Sequence, residues 1–510
     1  KAAGEMRERL EKLVGPQVAR NLSIGTFHSV CARLLRYDIG SYISPEGFRW
    51  QSNFVIYDES ESMNLIKEAI KKLNLDDKVF IPKDMRHAIS AFKNDGISSG
   101  QYARDARNYH DLRLSEIFTA YQALLAKNNA LDFDDLILTF TNLLAQNAEV
   151  RNKYKSRYKH LLVDEFQDTN QSQYRMIRLL SCDEPFASGA EEREQLWEGR
   201  TLMVVGDVDQ SIYSWRKADF RIILGFQKDF KNGRMIMLED NYRSNETILS
   251  AANSIIKNNS ERIDKVLRCN RGKGEKIQVN AASDEIDEAF FVVNELKRLK
   301  ARGISLKRCA ILYRTNAMSR AIEEVLVRSH VPYTMVGGTR FYERAEIKDA
   351  LSYLKLVYNN ADGQSFRRCI NNPRRGIGDT SLDKLAAYAE QSGQTMLEAA
   401  LRADSVGGLS AKAAKGLRDF ALLLERWQNM ATTLSVAPLL EMILKQSGYL
   451  AKLEEDANAS KEESSQDRVD TVRELLNVAG EFEQSADEPT LDGFLTRISL
   501  VSDLDAIKSG

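Results

Sequence analysis

The 510-residue sequence has few cysteines, few prolines and no excess of charge of either sign. Its five cysteines are far apart and form no Cys-x-x-Cys pair, which disfavours a zinc site or a disulfide framework and predicts a reducing, cytoplasmic location. Because 72 Lys and Arg balance 73 Asp and Glu, a surface for an anionic partner has to be a local patch. No apolar run approaches about 18 residues, so we expect no membrane span.

The sequence also contains no Gly-x-x-x-x-Gly-Lys-Ser/Thr loop, the usual cradle for nucleotide phosphates. It begins at Lys1 within a helix-like pattern, without an initiator Met or a signal peptide. We therefore expect an internal piece of a longer protein. Its 43% hydrophobic and 28% charged residues suit well-folded, helix-rich domains.

Strand-like and helix-like segments alternate along the chain and predict an α/β fold. A helix is expected over 1–14, then a short strand, a loop and a helix over 21–40; residues 45–148 read as almost purely helical, without a strand. Strands are expected at "KHLLVDEF" and "TLMVVGDVD", and again at "KIQVN", "RCAILYRTN" and "VPYTMVGG". After Ala345 the pattern is helical to the end, apart from a polar linker, "EEDANASKEESSQD".

Three acids follow the first of these strands, in "LLVDEFQDTNQSQY" (161–174). A carboxylate after a buried strand lies at the sheet edge where α/β ligands bind. Asp164 could hold Mg²⁺, which prefers one or two carboxylates plus phosphate oxygens, and Glu165 could deprotonate an attacking water. The alternative is a helix N-terminus that attracts acids through the macrodipole.

The next strand leads into "MVVGDVDQSIYSWRKAD" (203–219). Gln210 is uncharged and bidentate, which suits a phosphate or a water. Tyr213 and Trp215 lie beside Arg216 and Lys217, and single-stranded bases stack on such aromatic and basic clusters. Alternatively the aromatics belong to the core and the cations to a solvated face.

"MLEDNYRSNETIL" (237–249) places Tyr242 and Arg243 after a short strand. Arg243 suits a transferring phosphoryl group and Tyr242 a nucleobase. Ser244 followed by Glu246 also reads as a helix N-cap, and both readings are compatible.

Two further turns could contact a sugar-phosphate backbone. Thr26, Phe27 and His28 lie at a strand-to-helix turn, where the hydroxyl and turn amides suit phosphates and Phe27 a base; a histidine there is more often structural. In "NNPRRGIGDTS" (371–381), Arg374 and Arg375 precede Gly-Ile-Gly and a helix start, which would suit duplex phosphate, although without further context a plain loop is the more usual explanation.

The order of these motifs resembles that of the bacterial superfamily-one DNA helicases of the Rep/UvrD/PcrA type. The shared stretches are "GTFHSVCARLLR", "DFDDLI", "LLVDEFQD", "VVGDVDQSIYSWRKAD", "LEDNYRS", "GGTRFYERAEIKDAL" and "PRRGIG", and they span essentially the whole chain. The resemblance implies two RecA-like parallel-sheet motor domains, both incomplete here, each with a mostly α-helical insertion. The implied boundaries are 1–42 and 151–244 for the first motor domain (1A), 43–150 for its insertion (1B), 245–357 for the second motor domain (2A) and 358–510 for its insertion (2B).

It further implies ATP and Mg²⁺ as cofactors, single-stranded DNA and its junctions with duplex as partners, and 3′ to 5′ movement. Residue by residue, it implies a metal role for Asp164, a base role for Glu165, γ-phosphate contacts for Gln210 and Arg243, and adenine stacking for Tyr242. The implied DNA contacts are Thr26, Phe27, His28, Tyr213, Trp215 and Arg216 for the single strand and Arg375, Gly376, Gly378 and Thr380 for the duplex.

The departures from the family leave alternatives open. The phosphate loop and the late motifs are missing, and both gaps fall at the ends of the chain, so we expect the 510 residues alone to be inactive. A non-catalytic DNA-binding protein derived from a helicase is the main alternative. A helicase–nuclease subunit is a third, but it would need a carboxylate-rich nuclease domain that this sequence does not show. The acidic stretch 182–199 has no assigned role.

Overall fold

The computed structural model describes residues 2–182, 199–214, 217–230, 232–315, 318–335, 341–460, 463–486 and 489–506. The chain divides into two compact units. Unit 1 comprises residues 1–206, 212–222 and 339–503, and unit 2 comprises 207–211, 223–338 and 504–510. None of the described helices is long and apolar enough to cross a lipid bilayer.

The first part of unit 1 is mainly helical, and its helices begin at capping residues. Asp58, Ser98, Asp132 and Asn170 each accept a backbone N–H three residues on, and the side chain at that position returns a bond, a reciprocal arrangement that fixes a helix start. The helices are α1 Ala2–Val14, α2 Pro16–Asn21, α3 Phe27–Asp38, α4 Glu59–Lys72, α5 Pro82–Asn94, α6 Ser99–Asp105, α7 Tyr109–Lys127, α8 Phe133–Gln146, α9 Ala148–Arg157 and α10 Gln171–Ser181.

Two short parallel strand pairs lie among these helices. β1 Val55–Ile56 pairs with β2 Ala130–Leu131. β3 His160–Val163 pairs with β4 Thr201–Val204, from His160 opposite Thr201 to Val163 opposite Val204. The second pair confirms the strands expected before the two acidic turns. The expectation that no strand interrupts residues 45–148 is wrong. β1 and β2 have two residues each, which is too short for an alternating pattern to show in the sequence.

The strand expected just before Thr26 is also absent. Residues 22–26 include extended backbone, but none of the described strands pairs with them, and the Ile24 N–H bonds locally to the Leu22 carbonyl. Nor is β3 the buried strand that its apolar sequence suggests. Leu162 is 73% exposed and Met203, its partner on β4, is 55% exposed.

Unit 1 ends in a large helical block, as expected after Ala345. The polar stretch expected to be a linker is instead helical up to residue 460 and again from 463, because Ala, Glu and Lys favour helix. The helices are α15 Ala345–Tyr358, α16 Gly363–Ile370, α17 Asp379–Ser392, α18 Met396–Leu401, α19 Ala411–Met430, α20 Val436–Gln446, α21 Tyr449–Ser460, α22 Glu463–Ser485 and α23 Leu491–Ala506.

Among the described residues of unit 1, the buried apolar side chains form three cores. One core is formed by residues of the helices from α15 through α23 and includes the fully buried Trp427 and Tyr353. A second joins α3, α8, α9 and α10, and a third joins α4, α5 and α7. Helix α8 is buried along most of its length, with α3 and α10 packed against it, so it connects the two segments that carry candidate motifs.

Unit 2 is smaller, and the residues that the structure describes in it form few strands. α11 Arg221–Asp229 leads into it, and it contains α12 Glu246–Ile256, α13 Glu285–Ala301 and α14 Ser319–Arg328, with β5 Asp240–Asn241 parallel to β6 Arg268–Cys269. Its apolar core lies between α13 and α14.

The strands expected at "KIQVN", "RCAILYRTN" and "VPYTMVGG" are not formed in the described part of those segments. Val279 and Leu312 are each 92% exposed, so their apolar character is not used to bury a sheet. The chain is therefore α/β with short parallel strand pairs, as predicted at the level of class. That its sheets are RecA-like motor domains stays a prediction.

Candidate functional site

The candidate acids Asp164 and Glu165 lie at the carboxyl end of β3, in a turn held by the strand that pairs with it. The Val205 N–H donates to the Val163 carbonyl at 2.8 Å, and the Phe166 N–H donates to the Val205 carbonyl at 2.9 Å. These bonds enclose the two acids, and Glu165 takes the left-handed conformation with φ 51°. Both side chains are exposed. A non-glycine residue held there costs of order 1–3 kcal/mol, and such strain concentrates at functional sites.

Neighbouring side chains orient these acids. Gln167 is buried, and its Nε2 donates to Oε2 of Glu165 at 2.7 Å. Oδ1 of Asp164 accepts the Glu165 N–H at 3.0 Å. Asp168 is half-buried, and burial followed by the nearby Glu165 charge raises the pKa of its carboxyl. Glu165 is therefore fixed in direction yet open to solvent, as a group acting on a water has to be.

The turn fits a magnesium ion that is also held by a ligand. No cage of three or more His, Cys, Asp or Glu side chains occurs among the residues that the structure describes. Magnesium needs only one or two carboxylates when phosphate and water supply the other oxygens. Asp164 is exposed with oxygens to spare, and Oδ1 of Asp168 is buried without a hydrogen-bond partner in the described structure. The carboxylates present are those such an ion would use.

Gln210 belongs to unit 2, where it bonds to a half-buried cluster of charged side chains. Its Nε2 donates to Oδ2 of Asp207 at 2.8 Å. Lys265 also bonds Asp207, and Arg262 pairs with Asp209 at 3.3 Å. Burial would raise the pKa of Asp207, but the hydrogen bonds from Lys265 and Gln210 outweigh it, so the pKa lies below its ordinary value. With Nε2 committed to a carboxylate, Oε1 of Gln210 is the atom that remains exposed to meet a ligand or water.

Tyr242 and Arg243 follow β5, as predicted, and both side chains are exposed. Oδ1 of Asn241 accepts the N–H groups of Arg243 and Ser244 at 2.9 and 2.8 Å and so fixes the turn. The helix cap is not Ser244 but Asn245, whose side chain accepts the Ile248 N–H. The turn thus presents an aromatic ring and a guanidinium to solvent.

The residues proposed for a single strand are only partly within the described structure. Thr26 caps α3, and Phe27 and His28 form its first turn, half-buried against α8, with the His28 ring 5.4 Å from that of Phe133. Tyr213 is 37% exposed. Trp215 and Arg216 lie outside the described residues, as does most of the acidic stretch 182–199.

In the 371–380 turn the two arginines have different environments. The Arg375 guanidinium donates to the carbonyls of Cys369, Ile370, Pro373 and Ser447 and lies 4.7 Å from the Phe420 ring. Arg374 is exposed, as are Gly376, Gly378 and Thr380. The geometry places Arg375 in a structural role within the turn and leaves Arg374 as the cation facing solvent.

Sequence reasoning missed a polar cluster beside the acidic turn. Asn170, the cap of α10, donates from Nδ2 to Oδ1 of Asn94 at 2.6 Å, and Nδ2 of Asn94 donates to Asp134 at 2.9 Å. The capping patterns at Asp132 and Asn170 were visible as helix starts. Their contact with α5, 76 residues from Asn170, has no local signal in the sequence.

Comparison with known proteins matches residues 1–231 to the UvrD/REP helicase N-terminal domain and residues 236–509 to the UvrD-like helicase C-terminal domain. The chain is 42% identical over 508 residues to the ATP-dependent DNA helicase PcrA of Bacillus subtilis and 40% identical over 507 residues to that of Staphylococcus aureus. These alignments cover 99% of this chain but 65% and 66% of the two relatives. The chain belongs to the UvrD/REP helicase family.

Proposed function

We propose that the complete gene product is an ATP-dependent DNA helicase that moves 3′ to 5′ along single-stranded DNA and separates the strands of a duplex. Family membership along nearly the whole chain supports this function. The observation that carries it is the acidic turn, in which Gln167 orients an exposed Glu165 next to Asp164 at the end of a parallel strand.

The acidic turn suits the hydrolysis of ATP. Asp164 would hold Mg²⁺, which when bound neutralises charge on the phosphate oxygens. Glu165, directed by Gln167, would orient a water and accept its proton. Positioning and charge account for most of the catalysis in phosphoryl transfer, so a carboxylate of fixed direction is the feature this chemistry needs.

Gln210, Tyr242 and Arg243 are proposed as nucleotide contacts of unit 2. Oε1 of Gln210 would accept a hydrogen bond from a phosphate-bound water, and the planar guanidinium of Arg243 would donate to the γ-phosphate. The exposed ring of Tyr242 would stack on adenine.

DNA contacts are proposed at two places. Phe27, Tyr213 and Trp215 would meet bases of a single strand, with Thr26, His28 and Arg216 nearby. The 374–380 turn would contact duplex phosphate through its exposed residues, with Arg374 as its cation and Gly376, Gly378 and Thr380 as its backbone and hydroxyl donors.

The organisation proposed for the chain is that of two RecA-like motor domains with helical insertions. The first motor domain comprises 1–42 and 151–244 around the insertion 43–150, and the second comprises 245–357, followed by the insertion 358–510. Because the 510 residues include no phosphate loop, we propose that they hydrolyse ATP negligibly by themselves. Turnover near the rate of the complete gene product would contradict this.

The test is ATP hydrolysis by the complete gene product with and without single-stranded DNA, followed by strand separation on duplexes with a 3′ or a 5′ single-stranded tail. DNA-stimulated hydrolysis and a preference for the 3′ tail are expected. Glu165→Gln should abolish turnover and leave DNA binding within about twofold, whereas Glu149→Gln, an exposed acid on α9, should change neither. DNA binding without any ATP turnover would favour the non-catalytic alternative.

A further inference from the structure

The last turn of α5 carries three consecutive residues that contact three different segments of unit 1. Lys93 pairs with Asp132 and Asp135 at the start of α8. Asn94 bonds Asp134 and also Asn170, the cap of α10. Asp95 pairs with Lys217 at 3.1 Å. One helix end therefore joins the first helical region to both candidate motif segments.

Lys93 makes this turn a fixed point. It is fully buried, with Nζ at 2.6 Å from Asp132 and 2.8 Å from Asp135. The Tyr121 hydroxyl donates to Asp132 and the Gln122 amide to Asp135, so both carboxylates are further bonded. A buried cation with two bonded carboxylates has little freedom to move, because any displacement would leave a charge unpaired away from water.

Asn94 ties the acidic turn to this fixed point. Asn170 is buried and ends the stretch that begins at Asp164. Its side chain both caps α10, by accepting the Gln173 N–H, and donates to Asn94. Three residues earlier, Gln167 bonds Glu165. The direction of Glu165 is thus set by a segment whose far end is held by α5.

Asp95 connects the segment around Lys217, which belongs to the second acidic motif, to the same α5 turn. Lys217 has φ 61°, a conformation that glycine adopts freely and lysine rarely. Exposed ion pairs contribute little to the free energy of folding. The pairing of Lys217 with Asp95 is therefore better explained by the position it gives to Lys217 than by added stability. Residues 217–219 also touch the acidic segment directly, since the Asp219 N–H donates to the Thr169 carbonyl at 3.1 Å.

We propose that Asn94 and Asp95 are positioning residues that link the response to single-stranded DNA with the setting of Glu165. A strand bound near Tyr213 would move residues 217–219 against the fixed α5 turn, through the Asp95–Lys217 pair. The movement would reach the acidic segment at the bond from the Asp219 N–H to the Thr169 carbonyl, while Asn94 holds Asn170 in place. The inference rests on the proposed function and adds to it the residues that couple DNA binding to hydrolysis.

The test measures kcat for ATP hydrolysis by the complete gene product, without DNA and with saturating oligo-dT. Asp95→Asn and Asn94→Ala should lower the DNA-stimulated kcat at least fivefold, with the DNA-free rate within twofold of wild type. Lys217→Gly removes the ion pair at a position that suits glycine, so the same loss is expected without unfolding. Asp84→Asn, an exposed acid in the first turn of α5, is the matched control.

Rescue separates coupling from simpler explanations. The double variant Asp95→Lys with Lys217→Asp should recover at least half of the lost stimulation, which neither a folding defect nor a lost Lys217–DNA contact would allow. If wild type is stimulated by DNA but Asp95→Asn, Asn94→Ala and Asp84→Asn are all indistinguishable from it, the coupling role is wrong and the proposed function stands. A wild type without ATP turnover overturns both.

Discussion

The buried amide of Gln167 donates from Nε2 to Oε2 of Glu165 across 2.7 Å. The two residues are separated only by Phe166, which is fully buried and anchors the turn through its N–H bond to the Val205 carbonyl. The position of the proposed base therefore depends on a core aromatic and one amide that directly follow it in sequence, and on a neighbouring strand that the fold brings beside them.

Gln167→Leu should lower kcat for ATP hydrolysis about tenfold, because Glu165 keeps its carboxylate but loses the donor that directs it. The KM for ATP should change less than twofold, since Gln167 is buried and does not face a ligand. In a Glu165→Gln background the same substitution should not lower any residual kcat further, as expected of residues that act as a unit. Additive losses would show that Gln167 acts elsewhere.

Arg243→Lys should reduce ATP turnover roughly as much as Arg243→Ala, by about 1000-fold, because an ammonium keeps the charge but not the planar fork that matches phosphate oxygens. Arg243 is exposed and its turn is held through Asn241, so neither variant should shift the thermal midpoint by more than about 2 °C. The control is Arg328→Lys on α14, an exposed arginine of the same unit. A lysine variant with near wild-type turnover would contradict the fork argument.

Much of this turn chemistry could be predicted from the sequence. The strands before both acidic turns, the short strand before Tyr242 and the helix after Thr26 each depend on local signals such as an apolar run or a capping residue. Local signals also produced wrong predictions. The apolar stretch around Val279 has the composition of a strand, but pairing depends on a neighbour that composition does not supply.

Contacts between distant segments could not be predicted. Lys93 looks like a surface lysine until α5 packs beside the start of α8, where Asp132 and Asp135 surround it. In the sequence, the adjacent Arg374 and Arg375 likewise look equivalent as candidate phosphate contacts. Only the fold distinguishes them, because the four carbonyls that bind Arg375 come from a helix end, the turn itself and Ser447.

The two arginines should respond oppositely to substitution. Arg375→Ala removes the guanidinium donor from the carbonyls of Ile370 and Ser447, both buried residues, and should lower the free energy of unfolding by about 2–3 kcal/mol. Arg374→Ala should leave stability within about 0.5 kcal/mol of wild type, weaken binding to a duplex with a single-stranded tail, and reduce the salt dependence of that binding by about one ion. Urea unfolding and fluorescence anisotropy at several salt concentrations measure both effects. Equal loss of duplex affinity in two stably folded variants would return Arg375 to the DNA surface.

The carboxylates around Lys93 should give opposite pH dependences of stability. Burial, followed by the Asp132 charge, raises the pKa of Asp135 to about 7, so the folded state holds a proton that the unfolded chain releases near pH 4. That contribution to stability is complete below pH 4 and is lost as pH rises to 7. For Asp132, burial is outweighed by Lys93 and the pKa is lowered, so its contribution is complete above pH 4 and lost only in stronger acid.

Asp135→Asn and Asp132→Asn therefore form a matched pair. Relative to wild type, the thermal midpoint of Asp135→Asn should improve steadily between pH 4.5 and 7.5, because the variant lacks the group whose deprotonation destabilises the fold. Asp132→Asn removes the charge that helps to raise the pKa of Asp135, while burial still raises it, so its deficit should also shrink over that range, but less than that of Asp135→Asn. Both differences are taken against wild type at each pH, so titrating groups that do not interact with this cluster cancel. A constant deficit for Asp135→Asn would mean that Asp135 is ionised throughout, with Lys93 balanced by two charges rather than one.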